Sequence, residues 1–321
     1  MANLLGTAHA CAHPSLALTK YWGKRDSLRN IPATPSLAIG LAEFRCETRV
    51  RIYSGTSFHL TINGVPQNPD RFADFFSEIQ RISREKGYRK TFSIEADSTA
   101  NFPVAAGFAS SSAGFAALAL AANTALKLNM TTPEISALAR VGSASAARAV
   151  YKGFTLLPAG GEHALSLPVH WPELRIIAVE THAGKKPISS RTAMERCRTS
   201  SPFYGEWLQD AANITAQAEA ALYARSLPEL GPLIRESYAR MFAVMLSASP
   251  PIRYWTPLTL KVLDFVDSLR QEGGQYWETM DAGPQVKVFC KAKDCPRFLA
   301  RLGESVPEAK ARVCTGTYPN S

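Results

Sequence analysis

The 321-residue sequence lacks several patterns that would place it in a familiar class of protein. Its six cysteines form no CxxC pair and its six histidines form no HExxH motif, so a zinc site is not indicated. It also has no long block of lysine or arginine and no aromatic RNA-binding signature. Nucleic acid is therefore not expected as a partner, and a small polyanionic substrate accounts for the net charge of +9 equally well.

The N-terminal end shows no targeting signal. The segment MANLLGTAHAC has no positively charged region, and its apolar stretch is too short for a signal peptide. The cysteines, which follow no paired spacing, are typical of reduced thiols in a cytosolic protein. No internal repeat, linker or low-complexity segment is apparent. We expect a globular cytoplasmic protein without a membrane partner.

Charge is absent from residues 101–126, NFPVAAGFASSSAGFAALALAANTAL, which run from a glycine- and serine-rich turn into an alanine-rich helix. Gly107 lets the backbone approach a ligand closely. The hydroxyls of Ser110, Ser111 and Ser112, with the first free N–H groups of the helix, suit a phosphate. A membrane span is disfavoured because the residues are mainly Ala, Ser and Gly. A plain buried helix of small residues remains an alternative.

Periodicity predicts both strands and helices along the rest of the chain. Residues 45–53 alternate polar with apolar side chains, and residues 58–62 lead into Asn63-Gly64, a hairpin signal. Thr132-Pro133 predicts the N-cap and first residue of a helix. The other predicted strands are residues 91–96, 174–180 and 285–291, and the other predicted helices are 71–83, 205–224, 229–246 and 256–270. This mixture indicates an α+β fold with a boundary near residues 184–187.

Four segments occur in an order that matches a known family. They are KYWGKRD at residues 20–26, NFPVAAGFASSSAGF at 101–115, GSAS at 142–145 followed by Arg148, and MDAGP at 280–284. With these segments the sequence resembles the diphosphomevalonate decarboxylases of the GHMP small-molecule kinase superfamily, from about residue 14 to residue 291. KYWGKRD and MDAGP are specific to the decarboxylase branch, whereas the Gly/Ser loop is shared by the superfamily.

The resemblance implies a two-lobed GHMP kinase fold with mixed sheets, packed helices and an active site in the cleft between the lobes. It implies an ATP-binding N-terminal lobe over residues 1–183 and a C-terminal lobe over residues 184–321. In the implied reaction ATP phosphorylates the 3-hydroxyl of mevalonate 5-diphosphate, phosphate leaves, and carbon dioxide is lost to give isopentenyl diphosphate. Mg²⁺ is expected to bridge the ATP phosphates without an assigned protein ligand, and a homodimer is expected.

The resemblance also implies the roles of individual residues. Asp281 is expected beside the 3-hydroxyl as base or orienting group, with Lys20 binding the substrate carboxylate and tuning Asp281, because a nearby opposite charge keeps a carboxylate ionised. The fork-shaped guanidinium of Arg148 suits bidentate phosphate binding. The expected substrate contacts are Tyr21, Lys24, Ser143, Ser145, Arg148 and Ser190, and the expected ATP contacts are Asn101, Gly107, Ser110, Ser111 and Lys185.

The sequence leaves alternatives to these roles open. Asp281 is also compatible with a tight turn ahead of Gly283-Pro284, and Lys185-Lys186 with a solvated surface pair. Residues 142–149 read GSASAARA where the family often reads GSGSACRS, which leaves the substrate preference open. The rival functions are a phosphomevalonate decarboxylase or mevalonate kinase-type enzyme of the same fold, and a non-enzymatic anion-binding protein.

Overall fold

A computed structural model describes residues 3–102, 110–184 and 186–316 of the chain. Its strands are β1 (Leu4–Ala12), β2 (Ser15–Ala17), β3 (Lys24–Asp26), β4 (Ile31–Pro32), β5 (Ser36–Gly40), β6 (Cys46–Ser54), β7 (Phe58–Ile62), β8 (Val65–Pro66), β9 (Phe92–Ala100), β10 (Phe154–Leu157), β11 (Leu165–Leu167), β12 (Leu174–Glu180), β13 (Trp277–Met280), β14 (Val286–Lys291) and β15 (Lys310–Cys314). Its α-helices are α1 (Ala73–Glu85), α2 (Ser110–Leu126), α3 (Thr132–Gly142), α4 (Ala146–Ala149), α5 (Ser190–Ser200), α6 (Tyr204–Tyr223), α7 (Leu227–Leu246), α8 (Pro257–Gln271) and α9 (Cys295–Ser305). No helix in these ranges is long and apolar enough to cross a membrane.

The first sheet has the strand order β1-β6-β9-β7-β8, and its β7–β9 pair is parallel whereas the others are antiparallel. In β6 the apolar side of the predicted alternation is buried, and α1, α2 and α3 pack over these strands around Val50, Ile94 and Phe115. The hairpin from β7 to β8 turns at Asn63 and Gly64, whose φ values of 49° and 75° suit a type I′ turn. The sheet therefore supports α2 along its length.

A second sheet of order β11-β10-β5-β2 contacts α4 and shares a hydrophobic core with the C-terminal half. Its strands are short; β2 and β5 are buried at every position, whereas Leu165 and Ser166 of the edge strand β11 are exposed. Leu37 and Phe154 of this sheet share a hydrophobic core with Ile176, Phe289 and the helices α6 and α7. The N-terminal and C-terminal parts therefore pack against each other through one continuous core.

The third sheet has the order β13-β14-β12-β15, with antiparallel pairs throughout. Alternate residues face opposite sides: Ile177 and Val288 pack with the C-terminal helices, whereas Ile176 and Phe289 face the second sheet. Because β12 pairs with β14 and β15, its hydrogen bonds connect it to the C-terminal strands. The division of lobes at residues 183 and 184 stays a prediction.

The α+β fold with mixed sheets is confirmed, and several element boundaries shift. The N-cap of α3 is Thr131 rather than Thr132, because the Thr131 hydroxyl accepts from the Glu134 backbone N–H and Glu134 bonds back to Thr131 in a capping box. The predicted helix at residues 71–83 begins with a 3₁₀ turn, so α1 starts at Ala73. The predicted strand at residues 174–180 coincides with β12.

Candidate active site

Asp281 follows the last residue of β13 and lies in a turn that the surrounding elements hold tightly. The Gly283 N–H donates to the Asp281 carbonyl at 2.7 Å. The Pro284 carbonyl accepts from the hydroxyls of Thr181, at 2.6 Å, and Thr259, at 2.9 Å. The predicted tight turn is therefore present, and it fixes where the Asp281 side chain points.

The strand before this turn is anchored by the buried Glu278 carboxylate, which pairs with two arginines. One Glu278 oxygen accepts from Arg235 Nε and from the Tyr238 hydroxyl, each at 2.8 Å. The other oxygen pairs with Arg270, which comes from α8. These three donors join β13 to α7 and α8, so both helices hold the strand that precedes the Asp281 turn.

The Asp281 carboxylate lies between two buried lysines. Lys20 Nζ is 2.9 Å from Oδ1, and Lys287 Nζ is 3.3 Å from Oδ2. The Asp281 side chain remains 22% exposed, whereas each lysine side chain is 2% exposed. The protein therefore occupies one side of the carboxylate with two cations and leaves another side open.

These contacts set the protonation of the site. Burial opposes ionisation of Asp281, but the ammonium groups of Lys20 and Lys287 outweigh it and hold its pKa well below the usual range. Burial lowers the pKa of Lys20 to about 8 although Asp281 acts in the opposite direction. At neutral pH the site therefore holds an ionised carboxylate beside a protonated lysine.

The segment carrying Lys20 is held by side-chain hydroxyls. The Lys20 N–H donates to Ser237 Oγ of α7 at 2.8 Å, and Lys20 Nζ also donates to the Ala17 carbonyl at 2.7 Å. Gly23 follows with a φ of 118°, and a Cβ there would collide with the Tyr204 hydroxyl. Both the left-handed backbone and the close approach require glycine at this position of KYWGKRD.

Arg148, on the short helix α4, is buried with its guanidinium next to the same site. Its Nε donates to Ser15 Oγ at 3.2 Å, and its Nη1 donates to Ser36 Oγ. Burial lowers the pKa of Arg148, whereas Asp281 and Tyr21 raise it. Two of its donors thus bond to protein hydroxyls, which orient the guanidinium relative to Asp281.

Three predicted serines form a row of hydroxyls. Ser111 Oγ lies 3.4 Å from Ser143 Oγ, which lies 3.1 Å from Ser145 Oγ. Ser111 is in the first turn of α2, while Ser143 caps the end of α3 and Ser145 precedes α4. The structure therefore brings the start of α2 together with the GSAS segment.

Tyr21 and Lys24 belong to the KYWGKRD segment that also carries Lys20. The Tyr21 hydroxyl is buried and finds no hydrogen-bond partner among the described residues, and burial raises its pKa. Burial and then the neighbouring Arg191 lower the pKa of Lys24 to about 8. An unsatisfied buried hydroxyl is costly, so the Tyr21 hydroxyl is a candidate for a ligand contact.

Lys186 is the member of the lysine pair that reaches the site. Its Nζ donates to Ser190 Oγ at 2.6 Å and to the Ala282 carbonyl at 2.9 Å, and it lies over the Tyr254 ring. Burial lowers its pKa to about 8, with Asp281 acting in the opposite direction. Lys186 is therefore not a solvated surface lysine, and Lys185, the predicted ATP contact, lies outside the described residues.

The other predicted ATP contacts are only partly described. Gly107 lies outside the described residues, and so does the side chain of Ser110. Asn101 bonds to the neighbouring backbone: its Oδ1 accepts from the Arg45 N–H and its Nδ2 donates to the Glu43 carbonyl, both at 2.9 Å. These two hydrogen bonds therefore connect Asn101, which precedes the Gly/Ser loop, to Glu43 and Arg45.

Two residues of this site were not predicted, Lys287 and Lys186 as distinct from Lys185. Lys287 was detectable as a lone lysine within the apolar strand that follows MDAGP. Within the described residues, no three His, Cys, Asp or Glu side chains group closely enough to hold a metal. The Ser111, Ser143 and Ser145 hydroxyls and the Asp281 carboxylate are oxygen groups, which suit Mg²⁺ carried on substrate phosphates.

In this fold four cations, Lys20, Lys287, Arg148 and Lys186, surround one carboxylate beside the hydroxyl-bearing start of a helix. Such a site suits phosphoryl transfer between anionic molecules, and the α+β architecture around it is that of the GHMP small-molecule kinase class. Two family models match the chain: the diphosphomevalonate decarboxylase-like N-terminal domain at residues 12–167 and the mevalonate 5-diphosphate decarboxylase C-terminal domain at 176–319. The chain belongs to the diphosphomevalonate decarboxylase family.

Individual relatives agree with this assignment. The diphosphomevalonate decarboxylase of Danio rerio is 30% identical over 315 residues, which is 90% of this chain and 77% of that protein. The structure of mevalonate diphosphate decarboxylase from Staphylococcus aureus has a TM-score of 0.87 and 30% identity, covering 97% of this chain and 96% of that one. A further structure, MDDEF in complex with MVAPP, AMPPCP and magnesium, has a TM-score of 0.87 and 32% identity, covering 97% of both chains.

Proposed function

We propose that this protein catalyses the ATP-dependent decarboxylation of mevalonate 5-diphosphate to isopentenyl diphosphate, with release of ADP, phosphate and carbon dioxide. The observation that carries the proposal is the Asp281 carboxylate, held ionised between Lys20 and Lys287 and partly open to solvent. The relatives named as diphosphomevalonate decarboxylases and the neighbour solved with MVAPP, AMPPCP and magnesium support the choice of substrate and cofactors.

Charge supports a polyanionic substrate. Four cations face Asp281, so three positive charges remain uncompensated among these groups, and Lys24 adds another on the KYWGKRD side. Buried cations without anionic partners are costly, and a diphosphate, a carboxylate and the phosphates of ATP would each offset part of that cost. A site built for a neutral substrate would have no need of this excess.

The geometry suggests a division of labour. Asp281 would accept a hydrogen bond from the 3-hydroxyl, and Lys20, which already contacts Asp281, would hold the substrate carboxylate. Arg148, Tyr21 and Lys24 would contact the diphosphate together with Ser143 and Ser145. Placing the hydroxyl, carboxylate and phosphates in this way supplies the positioning on which phosphoryl transfer depends.

The nucleotide would bind on the α2 side. Ser111 lies at the first turn of α2, where free N–H groups and the helix dipole favour phosphate. Asn101, Gly107, Ser110 and Lys185 stay proposed ATP contacts, and Ser190 stays a proposed substrate contact beside Lys186. Mg²⁺, when bound with ATP, would neutralise charge on the transferred phosphate. The cytoplasmic location and the homodimer also stay proposals.

The test compares three acceptors in the presence of ATP and Mg²⁺. Mevalonate, mevalonate 5-phosphate and mevalonate 5-diphosphate would each be incubated with the protein, and ADP and carbon dioxide would be measured together. We expect the 5-diphosphate to give the highest kcat/KM and equal amounts of both products. Preference for the 5-phosphate would instead identify a phosphomevalonate decarboxylase, ADP without carbon dioxide a kinase, and no turnover of any acceptor a binding protein.

A further inference from the structure

Lys287 occupies a position that the strand pattern assigns to the hydrophobic core. In β14, Val286 and Val288 pack with the C-terminal helices, so Lys287 lies on the opposite side together with Phe289, which faces the second sheet. Lys287 is only 1% exposed. A buried ammonium group at such a position lowers stability unless it is paired, so its contacts must offset that cost.

The contacts of Lys287 are directed at the proposed reaction centre. Its Nζ is 3.3 Å from Asp281 Oδ2 and 3.4 Å from the Gln285 carbonyl, at the other end of the MDAGP turn. Lys20 takes the other carboxylate oxygen, Oδ1. Each oxygen of Asp281 therefore has its own cation, one from the N-terminal part of the chain and one from the third sheet.

We propose that Lys287 is a positioning residue that fixes the carboxylate plane of Asp281 and keeps it ionised throughout the catalytic cycle. The inference rests on the proposed function. Its physical basis is that Lys287 is enclosed between the two sheets, whereas the Asp281 side chain is 22% exposed. Its Nζ reaches Asp281 Oδ2 from β14, so in this proposal Lys287 acts on the substrate through Asp281.

The other charged groups that face Asp281 cannot replace it. Lys20 comes from the segment after β2, Arg148 from α4 and Lys186 from the segment before α5. In the proposed function Lys20 also binds the substrate carboxylate and Arg148 the substrate phosphates, while Lys186 donates to Ser190 and Ala282. When ligands draw on these cations, the contact between Lys287 Nζ and Asp281 Oδ2 still holds the carboxylate.

The test uses Lys287→Met, Lys287→Arg and, as a matched control on the same strand, the exposed Lys291→Met. Lys20 still pairs with Asp281, but loss of one buried partner is destabilising, so we expect Lys287→Met to fold with a lower Tm. It should lower kcat by up to about 100-fold, the effect of misplacing a reacting group by about 1 Å, and leave the KM for ATP within twofold. The acid limb of the kcat profile should move up by about 1 pH unit or more, because one opposite charge is lost. Lys287→Arg should return it towards wild type, and Lys291→Met should change nothing.

A second readout does not depend on turnover. In protein labelled with ¹³C at aspartate carboxyl carbons, with Asp281→Asn used to assign the signal, the Asp281 resonance should titrate at higher pH in Lys287→Met than in wild type. Identical titration, with an unmoved acid limb, would overturn the positioning role. If wild type decarboxylates no mevalonate phosphate, the proposed function fails, while the ¹³C comparison still decides what Lys287 does to Asp281.

Discussion

Among the single residues, Asp281 is better suited to accept a hydrogen bond than to remove a proton. Lys20 and Lys287 stabilise its ionised form, and the same stabilisation makes it a weak base. A general base works best when its pKa is near the operating pH, whereas the pKa of Asp281 lies well below it. We therefore propose that Asp281 orients the 3-hydroxyl and offsets the positive charge around it.

Replacement of Asp281 by Asn tests this residue. Asn keeps the size of the side chain but loses the negative charge, so Lys20 and Lys287 lose their anionic partner. We expect kcat to fall by about 10²- to 10⁴-fold, with little change in ATP affinity. Steady-state kinetics and a nucleotide-binding titration on the same preparation would measure both. Turnover close to wild type would remove Asp281 from the mechanism.

Arg148 is tested by two substitutions of different severity. Because its guanidinium donates to Ser15 and Ser36, Lys at this position cannot reproduce both contacts and one more to a phosphate. We expect Arg148→Lys to raise the KM for the diphosphate and Arg148→Ala to raise it further. A KM unchanged in both variants would mean that Arg148 supports the fold and not the substrate. Ser36→Ala is the control for the guanidinium's orientation, and its KM should rise less than that of Arg148→Ala.

Among the secondary-structure elements, α2 connects the proposed nucleotide contacts to the proposed substrate contacts. Its helix packs on the first sheet, and its first turn reaches the GSAS segment through Ser111 and Ser143. The next residue, Ser112, is buried and accepts from the Ser15 N–H at 3.2 Å. Ser111 and Ser112 thus face different surroundings, so substituting each one distinguishes a proposed ligand contact from a packing contact.

Single alanine substitutions exploit this difference. Ser111→Ala should keep the Tm, because Ala is a good helix former and Ser111 is exposed, but it should weaken ATP binding or phosphoryl transfer. Ser112→Ala should lower stability by about 1–3 kcal/mol, because the buried Ser15 N–H loses its acceptor, and should leave ATP affinity unchanged. Melting curves and ATP titrations on both variants would measure this. The reverse pattern would make the start of α2 a packing element only.

Sequence patterns predicted the elements with clear periodicity and missed the short buried ones. The alternation in β6, the Asn63-Gly64 hairpin and the helices α6 to α8 were visible because each has a polar and an apolar side or a turn signal. Strands β2, β5 and β10 have too few residues and too little polar character for such a signal.

The site was predictable from sequence only in part. Lys20, Arg148 and Asp281 were identified through motifs of the family. Lys287 was missed because its role depends on register: it lies opposite Thr279 in the β13–β14 ladder, which places it on the same side of the sheet as Asp281. This cross-strand pairing forms only in the folded sheet, and no sequence motif indicates it.

At the scale of the whole molecule, the site depends on contacts between the two halves of the chain. Lys20 and Arg148 come from the N-terminal half, while Lys186, Asp281 and Lys287 come from the C-terminal half. The shared core that includes Leu37, Ile176 and Phe289 holds these halves together. Part of the net charge of +9 is thus gathered at one interior site.

This concentration of charge predicts a pH dependence of substrate binding. Lys20, Lys24 and Lys186 have pKa values of about 8, below the ordinary lysine value of 10.5, so they lose their charge as the pH rises through 8. The KM for the diphosphate should therefore rise above pH 8. Folding shows the opposite sign: these depressed pKa values reduce stability below pH 8, and that penalty is relieved between pH 8 and 10.5. Loss of activity in this window thus reflects binding and not unfolding.

Lys24→Arg provides the control, because Arg keeps its charge throughout this range. Its KM should rise less than that of wild type between pH 7.5 and 9.5, and circular dichroism should show both proteins folded. A KM that does not change across pH 8 in wild type would contradict the role assigned to these lysines.

In the proposed reaction, this site couples phosphoryl transfer from ATP to loss of the substrate carboxylate. The most direct measurement is a single-turnover reaction with mevalonate 5-diphosphate labelled at the carboxyl carbon, in which labelled carbon dioxide and ADP are counted in the same samples. We expect one carbon dioxide for each ADP in wild type, and neither product at a comparable rate in Asp281→Asn. ADP formed without carbon dioxide, or carbon dioxide released without ATP, would contradict it.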